Sequence, residues 1–136
     1  MRFGSGRFPL AMLLAAVCLL AGSCSLPPGI IELTVGNTSG MNGNTGTLVI
    51  MVRESESSDL VASSSVSGYT LDSSDPYEYS YGGASEGRYI VIAFLDVNTD
   101  GIMNVGDVVP PFPFPTVDVL SEETTAVTIT LDDEME

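Results

Sequence analysis

Gly87-Arg88-Tyr89-Ile90-Val91-Ile92-Ala93-Phe94-Leu95 runs straight into Asp96-Val97-Asn98-Thr99-Asp100-Gly101-Ile102-Met103-Asn104-Val105-Gly106-Asp107, and this junction decides how the chain folds. The first stretch is β-branched and aromatic and reads as a buried strand. The second has the pattern D-x-N-x-D-G-x-x-N-x-x-D, with oxygen side chains at loop positions 1, 3, 5, 9 and 12 and glycine at position 6. That is the ligand spacing of an EF-hand calcium loop. An EF-hand, however, sets its loop between two helices. Here the loop hangs from a strand end. It continues into Val108-Val109-Pro110-Pro111-Phe112-Pro113-Phe114-Pro115, where four prolines in six residues exclude a helix. The pattern predicts β structure carrying a cation loop, not a helical calcium sensor.

The loop chemistry fits a hard cation. Calcium takes six to eight oxygens from a flexible cage, and a short loop supplies them by coiling around the ion. Gly101 permits the sharp turn this needs. The expected side-chain ligands are Asp96, Asn98, Asp100 and Asp107. Ile102 is expected to give its main-chain carbonyl, and Asn104 to act directly or through water. A plainer reading competes, because Asp, Asn and Gly are also turn formers and an acidic loop can bind nothing. Asn104 and Asp107 in register favour the cation. Position 12 is Asp107 and not the longer Glu that chelates through both oxygens, so a modest dissociation constant of roughly 0.1–1 mM is expected.

Outward from the loop, strands recur at the spacing of a β-sandwich. They are expected at Gly46–Glu54, Leu60–Ser67, Tyr77–Tyr81, Arg88–Leu95, Val117–Leu120 and Thr124–Leu131. Residues 46–131 then make one small antiparallel domain, followed by an acidic, frayed tail at 132–136. Tyr77, Tyr79 and Tyr81 alternate with Glu78 and Ser80, which puts the three rings on one face. They read as core or half-buried packing, or alternatively as a platform for a glycan or peptide. Phe112 and Phe114 pose the same choice, as a binding rim or as a rigid edge that blocks sheet pairing.

The stretch G-x-Y-x-V-x-A-F-x-D-V-N-x-D-G, from Gly87 to Gly101 and on to Asp107, resembles a segment of bacterial surface lipoprotein domains. These are similar to the carboxypeptidase-regulatory, or transthyretin-like, β-sandwiches. The resemblance extends over Gly46 to Leu131, with Gly46-Thr47-Leu48-Val49-Ile50-Met51-Val52 and Ala126-Val127-Thr128-Ile129-Thr130-Leu131 as the opening and closing strands. It implies an all-β, transthyretin-like or immunoglobulin-like sandwich and a bound calcium ion rather than a defined activity. Dockerin loops look like this one too, but they come in pairs, each followed by a helix.

The N-terminal residues read as an export signal, 1–23. Arg2 and Arg7 precede an apolar run from Leu10 to Leu20 that is too short to span a bilayer. Leu20-Ala21-Gly22-Ser23-Cys24 resembles a bacterial lipobox, which implies that Cys24 is acylated; ordinary signal-peptidase cleavage is the alternative. Cys18 lies inside the signal, so processing leaves Cys24 as a lone cysteine. Residues 24–45, rich in Gly, Asn, Ser, Thr and Pro, read as a flexible tether, with Ile30–Val35 a possible short strand inside it.

Charge narrows the function. All 18 acidic residues follow Cys24, where the cations are Arg53 and Arg88, and the chain has no His. Nucleic acid is excluded as a partner, since phosphate neutralisation needs basic side chains. A polybasic attraction to anionic lipid is excluded likewise. Without His or Lys, Ser-His, Cys-His and Schiff-base arrangements are absent, so no enzyme is expected. The expected protein is a calcium-stabilised, lipid-anchored domain at the outer membrane or cell surface, with a structural or interaction role. Its rival is a carbohydrate- or peptide-binding surface module using exposed Tyr and Phe residues, and an envelope protein or a glycan is the partner expected of either.

Overall fold

The structure, a computed structural model, describes residues 27–136. The export signal expected at 1–23 and Cys24 lie outside the described residues. Nine strands follow in order: β1 (Gly29–Asn37), β2 (Thr45–Glu54), β3 (Leu60–Thr70), β4 (Tyr77–Ala84), β5 (Gly87–Asp96), β6 (Val108–Val109), β7 (Thr116–Val119), β8 (Thr124–Leu131) and β9 (Asp133–Glu134). A single 3-10 turn, Ser39–Met41, interrupts them among the described residues. The fold is thus an all-β sandwich, compatible with an immunoglobulin-like or transthyretin-like arrangement.

One sheet has the order β4-β1-β8, and the other β3-β2-β5-β6-β9 with β7 also paired to β5. Pairings are antiparallel except β1 with β8, which run parallel. Alternation explains which face each strand buries. In β2, Leu48, Ile50 and Val52 are buried while Thr47, Val49 and Met51 are half-buried on the outer side. In β1, Ile31, Leu33 and Val35 are buried between exposed Ile30 and Glu32. These two sets meet Val91, Ala93 and Leu95 of β5 and Ile129 and Leu131 of β8 in one core.

The tether and tail expectations need correction. The strand read as possible at Ile30–Val35 is present and longer, as β1, and it pairs on both sides as the central strand of its sheet, so 24–45 is not a tether throughout. The domain therefore begins near Gly29 and not at Gly46. The tail 132–136 is also engaged: β9 pairs with β6, and Met135 N–H donates to the Asp107 carbonyl at 2.8 Å. β4 runs on through Gly82 and Gly83 to Ala84, past the Tyr81 limit read from alternation, because Gly29 of β1 pairs that far.

The sandwich has two poles. Gly87, at the start of β5, pairs with Val119, and Gly29 packs so tightly that a Cβ there would strike Val119 and the Leu120 carbonyl. The chain thus enters where β5 begins. The loop 96–107 lies where β5 ends, roughly 30 Å away at strand rise.

Gly46 sets how closely β2 approaches the loop. A Cβ there would meet the Asp96 carbonyl and lie 2.8 Å from Val97 Cα, nearer than real contacts allow. Gly46→Ala is expected to push β2 from the end of β5, costing about 1–3 kcal/mol by overpacking. A thermal melt checks this; an unchanged midpoint would mean that the two backbones are not in such contact.

Candidate metal centre

Asp96 is the last residue of β5, and its side chain points to the outer face of the large sheet. That face is covered at this end: Phe94 and Asp96 are each only 2% exposed. A carboxylate is thereby carried into the protein at the first position of the loop. Asp107, at position 12, is fully buried at the start of the short segment that leads into β6. Asp100 sits between them on the exposed turn. Carboxylate oxygens of Asp96, Asp100 and Asp107 lie within 4.8 Å of one another, and the group could hold a metal ion.

The loop's own amides fix this geometry. Asp96 Oδ2 accepts the Gly101 N–H at 2.7 Å, closing the loop on its first residue. Gly101 has φ +85°, the left-handed region where a side chain is strained. Asp107 Oδ1 accepts the Val97 N–H at 2.9 Å and Oδ2 the Asn104 N–H at 2.9 Å, so this carboxylate ties both ends of the loop together. Asn98 Oδ1 accepts the Asp100 N–H at 3.3 Å, and Asp100 Oδ1 accepts the Ile102 N–H at 3.1 Å. The side chain of Asn104 bridges inward, donating to Asp100 Oδ2 and accepting from Asn98 Nδ2 at 3.1 Å. The Ile102 N–H and the Asn104 amide together hold the Asp100 carboxyl below its usual value.

One atom is left over. Asp96 Oδ1 is buried and has no hydrogen-bond partner. Such an atom is costly unless something else neutralises it. No basic side chain does so among the described residues. Arg88 pairs with Asp118 at 2.8 Å, near the opposite pole, and Arg53 donates to the Ser58 carbonyl at 3.0 Å. At an effective dielectric of about 20, the buried pair Asp96 and Asp107 alone repels by on the order of 3 kcal/mol. A cation seated between these oxygens would remove the repulsion and complete Asp96 Oδ1.

The residues named from spacing thus divide. Asp96, Asp100 and Asp107 converge, and Asn98 and Asn104 join them through side-chain amides. Ile102 meets the group through its N–H, which donates to Asp100, and not through the carbonyl expected of it, with its side chain 62% exposed. Sequence reasoning missed Gly46 and Met135. A glycine inside a strand pattern signals close backbone approach, so Gly46 was findable. Met135 exchanges main-chain bonds with Gly106 and Asp107, both at 2.8 Å, which no side-chain pattern announces.

The aromatic residues fall elsewhere. Tyr77, Tyr79 and Tyr81 pair opposite Val35, Leu33 and Ile31 and pack half-buried against the core. Tyr77 meets Tyr69 edge to face at 5.8 Å, and the Tyr81 hydroxyl donates to the Gly83 carbonyl at 3.1 Å. Burial raises the Tyr79 phenol above its ordinary value. They do not form an exposed platform, because this row of β4 shares the core-facing side of its sheet with Ile31, Leu33 and Val35. Phe112 is 54% exposed and meets half-buried Phe114 edge to face at 5.1 Å. Comparison with protein-family models, curated proteins and solved structures found nothing that matches this chain.

Proposed function

We propose that this chain is a non-catalytic, calcium-stabilised β-sandwich of the cell envelope, held at a membrane by acylation of Cys24 and serving a structural or interaction role. The observation that carries the metal reading is the buried, partnerless Asp96 Oδ1 inside a three-carboxylate cluster that faces no basic side chain. The spacing of Asp96, Asn98, Asp100, Ile102, Asn104 and Asp107 supports calcium as the ion. Calorimetric titration of residues 27–136 tests this. Calcium is expected to bind clearly better than magnesium, which demands tighter octahedral geometry and dehydrates reluctantly. Equal affinity for the two ions would count against a calcium loop.

Anchoring rests on the sequence of the N-terminal residues and is supported by the poles of the domain. The described chain enters opposite the metal loop, so a tether there would present the loop away from the membrane. Multiple acyl chains would hold it, as no polybasic patch can. Mass spectrometry of the mature N-terminus is expected to find acylated Cys24, and Cys24→Ser to release the protein from lipid or leave it unprocessed. A mature form with a free Cys24 thiol would leave a secreted calcium-binding domain instead.

The rival reading, a glycan- or peptide-binding module, loses its tyrosine face. It retains exposed Phe112 beside an open cleft of about 690 Å³, whose other wall is the 132–136 segment.

A further inference from the structure

We propose that the outer edge of β3 pairs antiparallel with β3 of a second copy of this chain, joining two large sheets into one across a two-fold axis. β3 ends the strand order of the large sheet, and among the described residues nothing pairs with its outer side. It is 11 residues long, Leu-Val-Ala-Ser-Ser-Ser-Val-Ser-Gly-Tyr-Thr, with no charge and no proline. Register shifts against β2 fall near each end, leaving Ala62–Val66 as a regular central stretch. Edge strands expose unpaired N–H and C=O groups, and proteins blunt them with charge, proline or a covering segment.

The other edges of this sandwich are blunted in those ways. β4 carries Glu78 as its second residue. β9 is Asp133–Glu134. β8 is uncharged, and its start is held by β7, where the Thr125 hydroxyl donates to the Asp118 carbonyl at 3.3 Å. β3 has none of these protections in a chain of net charge −14.

Charge restricts where a second copy can dock. Two copies at −14 repel over most of their surfaces, and a contact between them needs a strip where neither brings a carboxylate. β3 is such a strip and presents it to itself. Isologous pairing about a two-fold closes after two copies, so a dimer and not a fibre results. A single strand edge buries little area, which places the dimer in the weak class. Its salt dependence has a definite sign: salt screens the repulsion, so added salt tightens it. This inference is independent of the metal reading.

Sedimentation equilibrium of the full chain in density-matched neutral detergent tests it. Wild type is expected to show a monomer–dimer equilibrium that shifts to dimer with salt. Ser63→Asp combined with Ser65→Asp, both on exposed positions of β3, is expected to weaken dimerisation about tenfold or more while the melting temperature stays near wild type. Thr128→Asp combined with Thr130→Asp, on exposed positions of β8, is the matched control and is expected to dimerise as wild type does. A wild type monomeric at all concentrations and salts overturns the proposal. So does dimerisation lost in the β8 variant and kept in the β3 variant.

Discussion

A chain beginning at Gly46 is expected not to fold, whereas residues 27–136 are expected to give a cooperative melt. Starting at Gly46 deletes β1, and with it Ile31, Leu33 and Val35, each no more than 3% exposed. Burying a side chain of this kind stabilises by about 1.5–3 kcal/mol. Three of them account for roughly 5–9 kcal/mol, against a total stability of about 5–15 kcal/mol for a small domain. The deletion also removes the strand that β4 and β8 share, leaving each without a sheet partner. Far-UV circular dichroism and thermal melting of the two chains decide the matter. A cooperative transition in the Gly46 chain would show that β1 is dispensable and that the small sheet is not built on it.

That expectation runs against the most natural sequence reading, and the reason is physical. Ile31, Leu33 and Val35 alternate with Glu32 and Thr34 as a strand should. Pro27 and Pro28 before them and the Asn-Ser-Gly stretch after them nevertheless give the region the composition of a tether. Local pattern cannot reveal a partner, and those of β1 are distant: β4 begins at Tyr77 and β8 at Thr124. β2, β4, β5 and β8 were legible because each sustains alternation or a continuous apolar run long enough to set a period. β6 and β9 are two residues each, too short for any period, and exist only because they find each other.

The candidate metal centre was legible in its oxygens and not in its depth. Spacing alone brings the oxygens of a D-x-N-x-D-G loop to one side. That Asp96 would be nearly sealed from water depends on Phe94, two residues earlier on the same face of β5, being covered as well. Alternation predicts that the residues flanking Leu95 face outward, as they do, but not that the outer face is closed there. The involvement of Met135 follows from tertiary pairing of a tail whose acidic composition reads as solvated.

Chelator and calcium are expected to move the stability of the domain, and Asp96→Asn to abolish that response. A ligand that binds the folded state alone stabilises by RT ln(1 + [L]/Kd), or about 2.7 kcal/mol at a hundredfold excess. For a domain of this size that is a rise of roughly 10 °C in melting temperature. Asp96→Asn keeps the shape and the acceptor for the Gly101 N–H while removing the buried charge. Two effects of opposite sign follow. In chelator the variant escapes the repulsion between Asp96 and Asp107, so its midpoint is expected to equal or exceed that of wild type. In calcium it gains nothing, and wild type overtakes it. A mutation that merely damaged packing would lower both midpoints and leave the calcium increment intact. The crossing of the two curves is therefore the diagnostic result. A wild-type melting temperature indifferent to both calcium and chelator would leave Asp96 Oδ1 as an uncompensated cost and remove the metal from the account of this fold.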